Sequence, residues 1–140
     1  MTPATEGSAG GTGIERLNPP GQFDPSGLGF SSVVIAPSDR RLVYIAGKLA
    51  AGPDRDFDQQ VRGSFDLLDQ ALRAGGASMA TVLKITCLIV DADADRIASV
   101  TAARLEHFGD HRPASTIIPV PRLVGEHALF EIDAIAATLQ

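Results

Sequence analysis

Apolar side chains recur at three- and four-residue steps through Phe57, Val61, Phe65, Leu68 and Leu72. That period predicts an amphipathic helix over residues 56–74 with one stripe turned to a core, and Gly75-Gly76 supplies its stop. The run TVLKITCLIV, residues 81–90, is dense in β-branched side chains and reads as a central, largely buried strand. One of the aspartates between Asp91 and Asp95 is placed to cap a second helix that extends to about Phe108, with Ile97, Val100, Leu105 and Phe108 as its buried face. Two further strands follow, over residues 114–120 and 128–137. In the last one Leu129, Glu131, Asp133 and Ile135 share one face, and Phe130, Ile132, Ala134 and Ala136 the other.

Ahead of the first helix, residues 31–36 and 41–49 are short β-branched runs separated by Pro37-Ser38-Asp39-Arg40. Their closeness predicts an antiparallel hairpin, with Gly47 marking a bulge or a close approach to the backbone. Residues 14–28 are rich in Pro and Gly and read as successive turns. Residues 1–13 carry no periodicity and predict a disordered tail, leaving a single domain over residues 14–140. The order β-β-α-β-α-β-β predicts an α+β fold in which one mixed β-sheet carries two helices on one face. Its other face would be apolar and uncovered, which calls for a partner.

The formal charge of −5 and the absence of a Lys/Arg cluster argue against nucleic acid as a partner; the acidic stretch DADADR reads as a solvated helix start. A single cysteine, Cys87, forbids an internal disulfide and sits in an apolar run, as a small core residue would. His107, His111 and His127 are scattered and no metal-ligand spacing occurs, so no metal site is expected. No apolar run approaches the roughly 18 residues of a membrane span, and the N-terminus lacks a signal pattern. These features predict a cytoplasmic protein with no membrane partner.

Glu131 is the first candidate for chemistry, a carboxylate between Phe130 and Ile132 in an apolar strand, where burial demands a partner, a hydrogen bond or a proton. Asp133 shares its face. Arg112 and Arg122 bracket the preceding strand and read first as surface or subunit-contact residues. No Gly-x-Ser-x-Gly motif or phosphate-binding loop is present.

The segments LNPPGQFDPSGLGFSSVV, RLVYIAGKL, QQVRGSFDLLDQALRAGGASMATVLKITCLIVD, RPASTIIPVPRL and FEIDAIA together resemble the Rid (reactive intermediate deaminase, or YjgF) family, from about Ile14 to the C-terminus. The resemblance implies a chorismate-mutase-like fold, a homotrimer, and small-molecule sites in clefts between subunits. It implies hydrolytic deamination of enamines or imines without metal or cofactor. In active members a glutamate on the last strand holds water, and that position is Glu131 here. An arginine that grips the substrate carboxylate falls on Ser115. The family's loop tyrosine falls on Phe30, its Ser-Gly pair on Ala46-Gly47, a helix asparagine on Thr101, and a cysteine on Ile117. Arg112 lies three residues before Ser115 and is the nearby candidate to replace the lost guanidinium. The resemblance thus implies a divergent member with a non-standard substrate, either a deaminase of reactive metabolites or a trimer that binds a metabolite without catalysis.

Overall fold

The computed structural model describes residues 11–140 together with the backbone of Ala4–Glu6. Ten elements follow in chain order: β1 (Ala4–Glu6), β2 (Glu15–Asn18), β3 (Val33–Ile35), β4 (Leu42–Lys48), α1 (Phe57–Ala74), a short 3-10 turn (Met79–Thr81), β5 (Val82–Val90), α2 (Ala94–Phe108), β6 (Ala114–Val120) and β7 (Phe130–Ala137). The expected tail over 1–13 falls largely outside the described residues, apart from β1, which pairs antiparallel with β2.

The helices begin where local chemistry starts them. Asp56 accepts from the Gln59 N–H at 2.8 Å while Gln59 accepts from the Asp56 N–H at 2.9 Å, a reciprocal cap at the head of α1. Asp93 accepts from the Arg96 N–H at 2.8 Å and caps α2. The predicted α1 stripe is buried in full, and Phe65, Leu68 and Leu72 are sealed completely from solvent.

The main sheet has the order β4-β7-β5-β6. β5 pairs antiparallel with β7 and parallel with β6, so the sheet is mixed, and α2 makes the crossover between the parallel strands. Both helices cover one face, giving the expected α+β, chorismate-mutase-like arrangement. Facing pairs Ile85–Ala134, Cys87–Ile132 and Ile89–Phe130 are all buried and define the helix side. Facing pairs Thr86–Asp133 and Leu88–Glu131 therefore lie on the open side.

Three expectations need correction. Residues 31–36 and 41–49 do not form a hairpin. β3 pairs with β2, inside the stretch read as turns, while β4 pairs with β7. The reason lies in packing: Val43 and Ile45 join the core beneath α1, whereas Val34 joins a smaller cluster with Ile14, Leu83 and Ala137. Each run follows its own apolar neighbours, and proximity in sequence does not decide the pairing.

The second correction concerns α2. Val100 and Phe108 are buried as expected, but Ile97 and Leu105 are 39% and 41% exposed, and Arg104 is buried in their stead. Nor is the open sheet face wholly apolar. Leu42, Tyr44 and Ile118 are exposed there, interspersed with Lys84, Thr116, Glu131 and Asp133.

Candidate functional site

The residues singled out from sequence divide into two groups on opposite sides of the sheet. On the open side, Glu131 stands half-buried on β7, opposite Leu88. The register between β4 and β7 shifts between Ile45 and Lys48, leaving Ala46 and Gly47 in a bulge. A Cβ on Gly47 would sit 2.3 Å from the Glu131 Oε2. Only glycine lets the carboxylate lie against that backbone, so the predicted close approach at Gly47 is made by Glu131 itself.

Gln60 fixes the segment leading into β7. This fully buried amide donates to the His127 carbonyl at 3.0 Å and to the Arg55 carbonyl at 3.2 Å, and accepts from the Leu129 N–H at 2.8 Å. Two residues upstream of Glu131 the chain is thus tied to α1. Ser64 does the same for the loop after β4, accepting from the Ala50 N–H at 3.1 Å.

On the helix side, Ser115 stands opposite Ile85 and Ile117 opposite Cys87. There the structure brings together Ser115, Thr101 and Phe30 around a residue the sequence reading did not select, Arg104. Its Nη1 donates to the Ser115 Oγ at 3.1 Å and its Nη2 to the Thr101 Oγ1 at 3.1 Å. The guanidinium carbon lies 4.8 Å from the centroid of the Phe30 ring, within the range of a cation–π contact. The residue is 3% exposed and its Nε has no hydrogen-bond partner among the described residues. Burial pulls the Arg104 pKa down, and burial pushes the nearby Cys87 thiol up to about 12.

Gly29 secures this arrangement. It adopts φ +78°, and a Cβ there would fall 3.0 Å from both the Arg104 Cβ and the Leu105 N. The loop before β3 therefore rests directly on α2. Further bonds stitch it to the approach of β6: Ser31 N–H to the Pro113 carbonyl at 2.9 Å, and Ser31 Oγ to the Arg112 carbonyl at 2.7 Å. Arg112, read first as a surface or contact residue and only second as a substitute, donates from Nη1 to the Ser26 carbonyl at 2.6 Å and from Nε to the Gly109 carbonyl at 3.3 Å. These bonds hold the loop, and Arg104 is the guanidinium bonded to Ser115.

A groove of about 450 Å³ runs over the helix layer, lined by residues such as Asp58, Arg62, Asp95 and Glu106. It lies away from Glu131, which is on the other sheet face. Among the described residues no three His, Cys, Asp or Glu side chains gather as metal ligands, and no helix is long and apolar enough to cross a membrane.

This combination of a mixed sheet, two helices on one face, and polar groups at its edge strand defines a small chorismate-mutase-like α+β protein. The family described as endoribonuclease L-PSP matches residues 25–138, and the chain belongs to it, the YjgF/Rid family. A RutC family protein of Pyrococcus horikoshii is 30% identical over 100 residues, covering 67% of this chain and 77% of the relative. A conserved Rid-family protein of unknown function from Yersinia pestis superposes with a TM-score of 0.81 at 26% identity, covering 89% of this chain and 98% of that one. A YjgF family member from Mycobacterium tuberculosis gives a TM-score of 0.63 at 28% identity, with 85% and 95% covered.

Proposed function

We propose that the protein hydrolyses an enamine, an imine or a related reactive metabolite at clefts completed by neighbouring copies in a homotrimer. The observation that carries this reading is Glu131, a half-buried carboxylate seated against a glycine bulge in a family member. In the reaction, Glu131 takes a proton from water as the oxygen attacks the carbon of the C=N bond, whose nitrogen gains a proton. The carbon–nitrogen bond of the resulting carbinolamine then breaks, releasing ammonia and leaving a carbonyl. An enamine enters the same route after protonation on carbon. Gly47 and the Ser115 hydroxyl supply hydrogen bonds to the substrate, while Phe30, Ala46, Thr101 and Ile117 shape the cleft. No metal or cofactor takes part in these steps.

Glu131 and Ser115 lie on opposite faces of one sheet, so a cleft that holds both draws them from different copies. This supports the oligomer, as do the exposed Leu42, Tyr44 and Ile118. A cytoplasmic place of action belongs to the same reading, and one buried unpaired thiol suits a reducing compartment.

The test is imine hydrolysis. An amino-acid oxidase generates 2-imino acids, semicarbazide traps them, and the protein competes with the trap. Faster hydrolysis with wild type, abolished in Glu131→Gln, is the expected result. The apolar residues Ala46 and Ile117 favour a second reading, a metabolite-binding trimer without catalysis. Saturable binding without turnover, indifferent to Glu131→Gln, would establish that one. The family's endoribonuclease description suggests RNA as a substrate, but a charge of −5 opposes it; RNA cleavage with steep salt dependence would restore it.

A further inference from the structure

The open face of the sheet carries two opposite charges that do not pair within one chain. Lys84 stands half-buried on β5 and Asp133 stands exposed on β7. Lys84 faces Ile135 and Asp133 faces Thr86, so the two charges are diagonal neighbours within reach of a lysine stem. The lysine nevertheless turns the other way and donates from Nζ to the Thr116 Oγ1 on β6 at 2.5 Å. Asp133 has no hydrogen bond or ion pair among the described residues. Around the two charges the face is apolar, with Leu42 and Tyr44 on β4, Ile135 on β7 and Ile118 on β6. A partner that covers this apolar area also takes both charges out of water, which is costly for each unless an opposite charge meets it. A second copy of the chain supplies both, its Asp133 for Lys84 and its Lys84 for Asp133.

We infer that Lys84 of one copy pairs with Asp133 of the next across this sheet face, and that the pair selects another copy of the chain as the partner of that face. The inference rests on the homotrimer of the proposed function and adds the contact that specifies it. A closed ring repeats one contact at every boundary, each copy presenting Lys84 forward and Asp133 back. The pair contributes direction and selectivity more than affinity, since desolvation of the two groups offsets much of their attraction. A foreign chain with a similar apolar pattern but other charge placement leaves both groups buried alone, and is rejected. Burial already lowers the Lys84 pKa within one chain, so covering the face deepens the need for a carboxylate at the Nζ.

Lys48 and Lys84 are the only lysines of the chain, so zero-length coupling of amines to carboxylates has few donors to report on. Treated with a water-soluble carbodiimide, wild type is expected to give chains linked to one another on a denaturing gel. Peptide mapping should place the new amide between the Lys84 Nζ and the Asp133 carboxyl. Sedimentation tests the same contact through charge. Lys84→Glu should weaken assembly by about thirtyfold or more, the scale for a buried charge that loses its partner. Lys84→Glu combined with Asp133→Lys rebuilds the pair with its sign reversed and should recover the assembly. Circular dichroism checks the fold of each variant, and the coupling on wild type needs no variant at all. A Lys84 link found only within single chains or to another carboxylate, or an assembly indifferent to Lys84→Glu, overturns the inference and leaves the homotrimer in place. Wild type that sediments as one chain removes both. Inter-chain Lys84–Asp133 links with an inert imine assay leave the inference standing and remove the reaction.

Discussion

At Gly47 a single hydrogen atom separates a seated Glu131 carboxylate from a displaced one. A methyl group there would meet the Glu131 carboxylate at 2.3 Å, and the side chain must leave its seat on the bulge. Gly47→Ala is expected to lower imine hydrolysis by about a hundredfold, the scale of a one-ångström misplacement. Its melting temperature should change little, since both residues retain contact with solvent. Cys87 makes a different kind of prediction. Burial holds its thiol protonated to about pH 12, against an ordinary value of 9.0. Above pH 9 the unfolded chain loses that proton and the folded chain keeps it, so stability falls as pH rises, by up to about 1.4 kcal/mol per pH unit. Urea unfolding at pH 8, 9 and 10 should show this decline, and Cys87→Ala, less stable throughout, should lack that component. Glu131 and Gly47 were legible in the sequence because a carboxylate in an apolar strand and a glycine in a strand each break a local rule. Arg104 was missed because Leu105 looked like the natural core residue. The spacing of Val100, Arg104 and Phe108 at four-residue steps was the available signal.

Among the elements, α1, β5, β6 and β7 follow the sequence reading closely because each has an unambiguous period and a buried face. The pairing of β3 and β4 was not legible. A three-residue strand, Val33–Ile35, carries too little pattern to choose between neighbours, and its partner β2 lies in a segment whose prolines and glycines dominate its composition. What aligns the elements is partly polar, and Gln60 is the clearest case. Its amide joins α1 to the carbonyls of Arg55 and His127 and to the Leu129 N–H, all in a buried setting. Gln60→Ala strands those groups, and should destabilise the domain by about 2–4 kcal/mol, measured as a lower urea midpoint at unchanged slope. Because the tied segment enters β7 just before Glu131, activity at a fully native temperature should fall as well. Gln60→Leu, which fills the volume without the bonds, should lose the same connection.

For the whole molecule, the open face of the sheet sets the expectations. Tyr44 is 71% exposed and Leu42 49% exposed on a surface that also carries Ile118. In the proposed assembly, sedimentation should report three times the 14.6 kDa chain mass, and Tyr44→Lys should shift it toward a single chain by placing a charge in the contact. The division of Glu131 and Ser115 between the two faces of the sheet has a genetic consequence. If each working cleft takes its acid from one copy and its Ser115 strand from the next, two dead variants can repair each other. Glu131→Gln and Ser115→Trp, each inert alone, would regain activity when co-expressed or unfolded and reassembled together. Random mixing would leave about one cleft in four with both wild-type groups. Two alleles defective in the same cleft would then complement in a cell, provided their products meet during assembly.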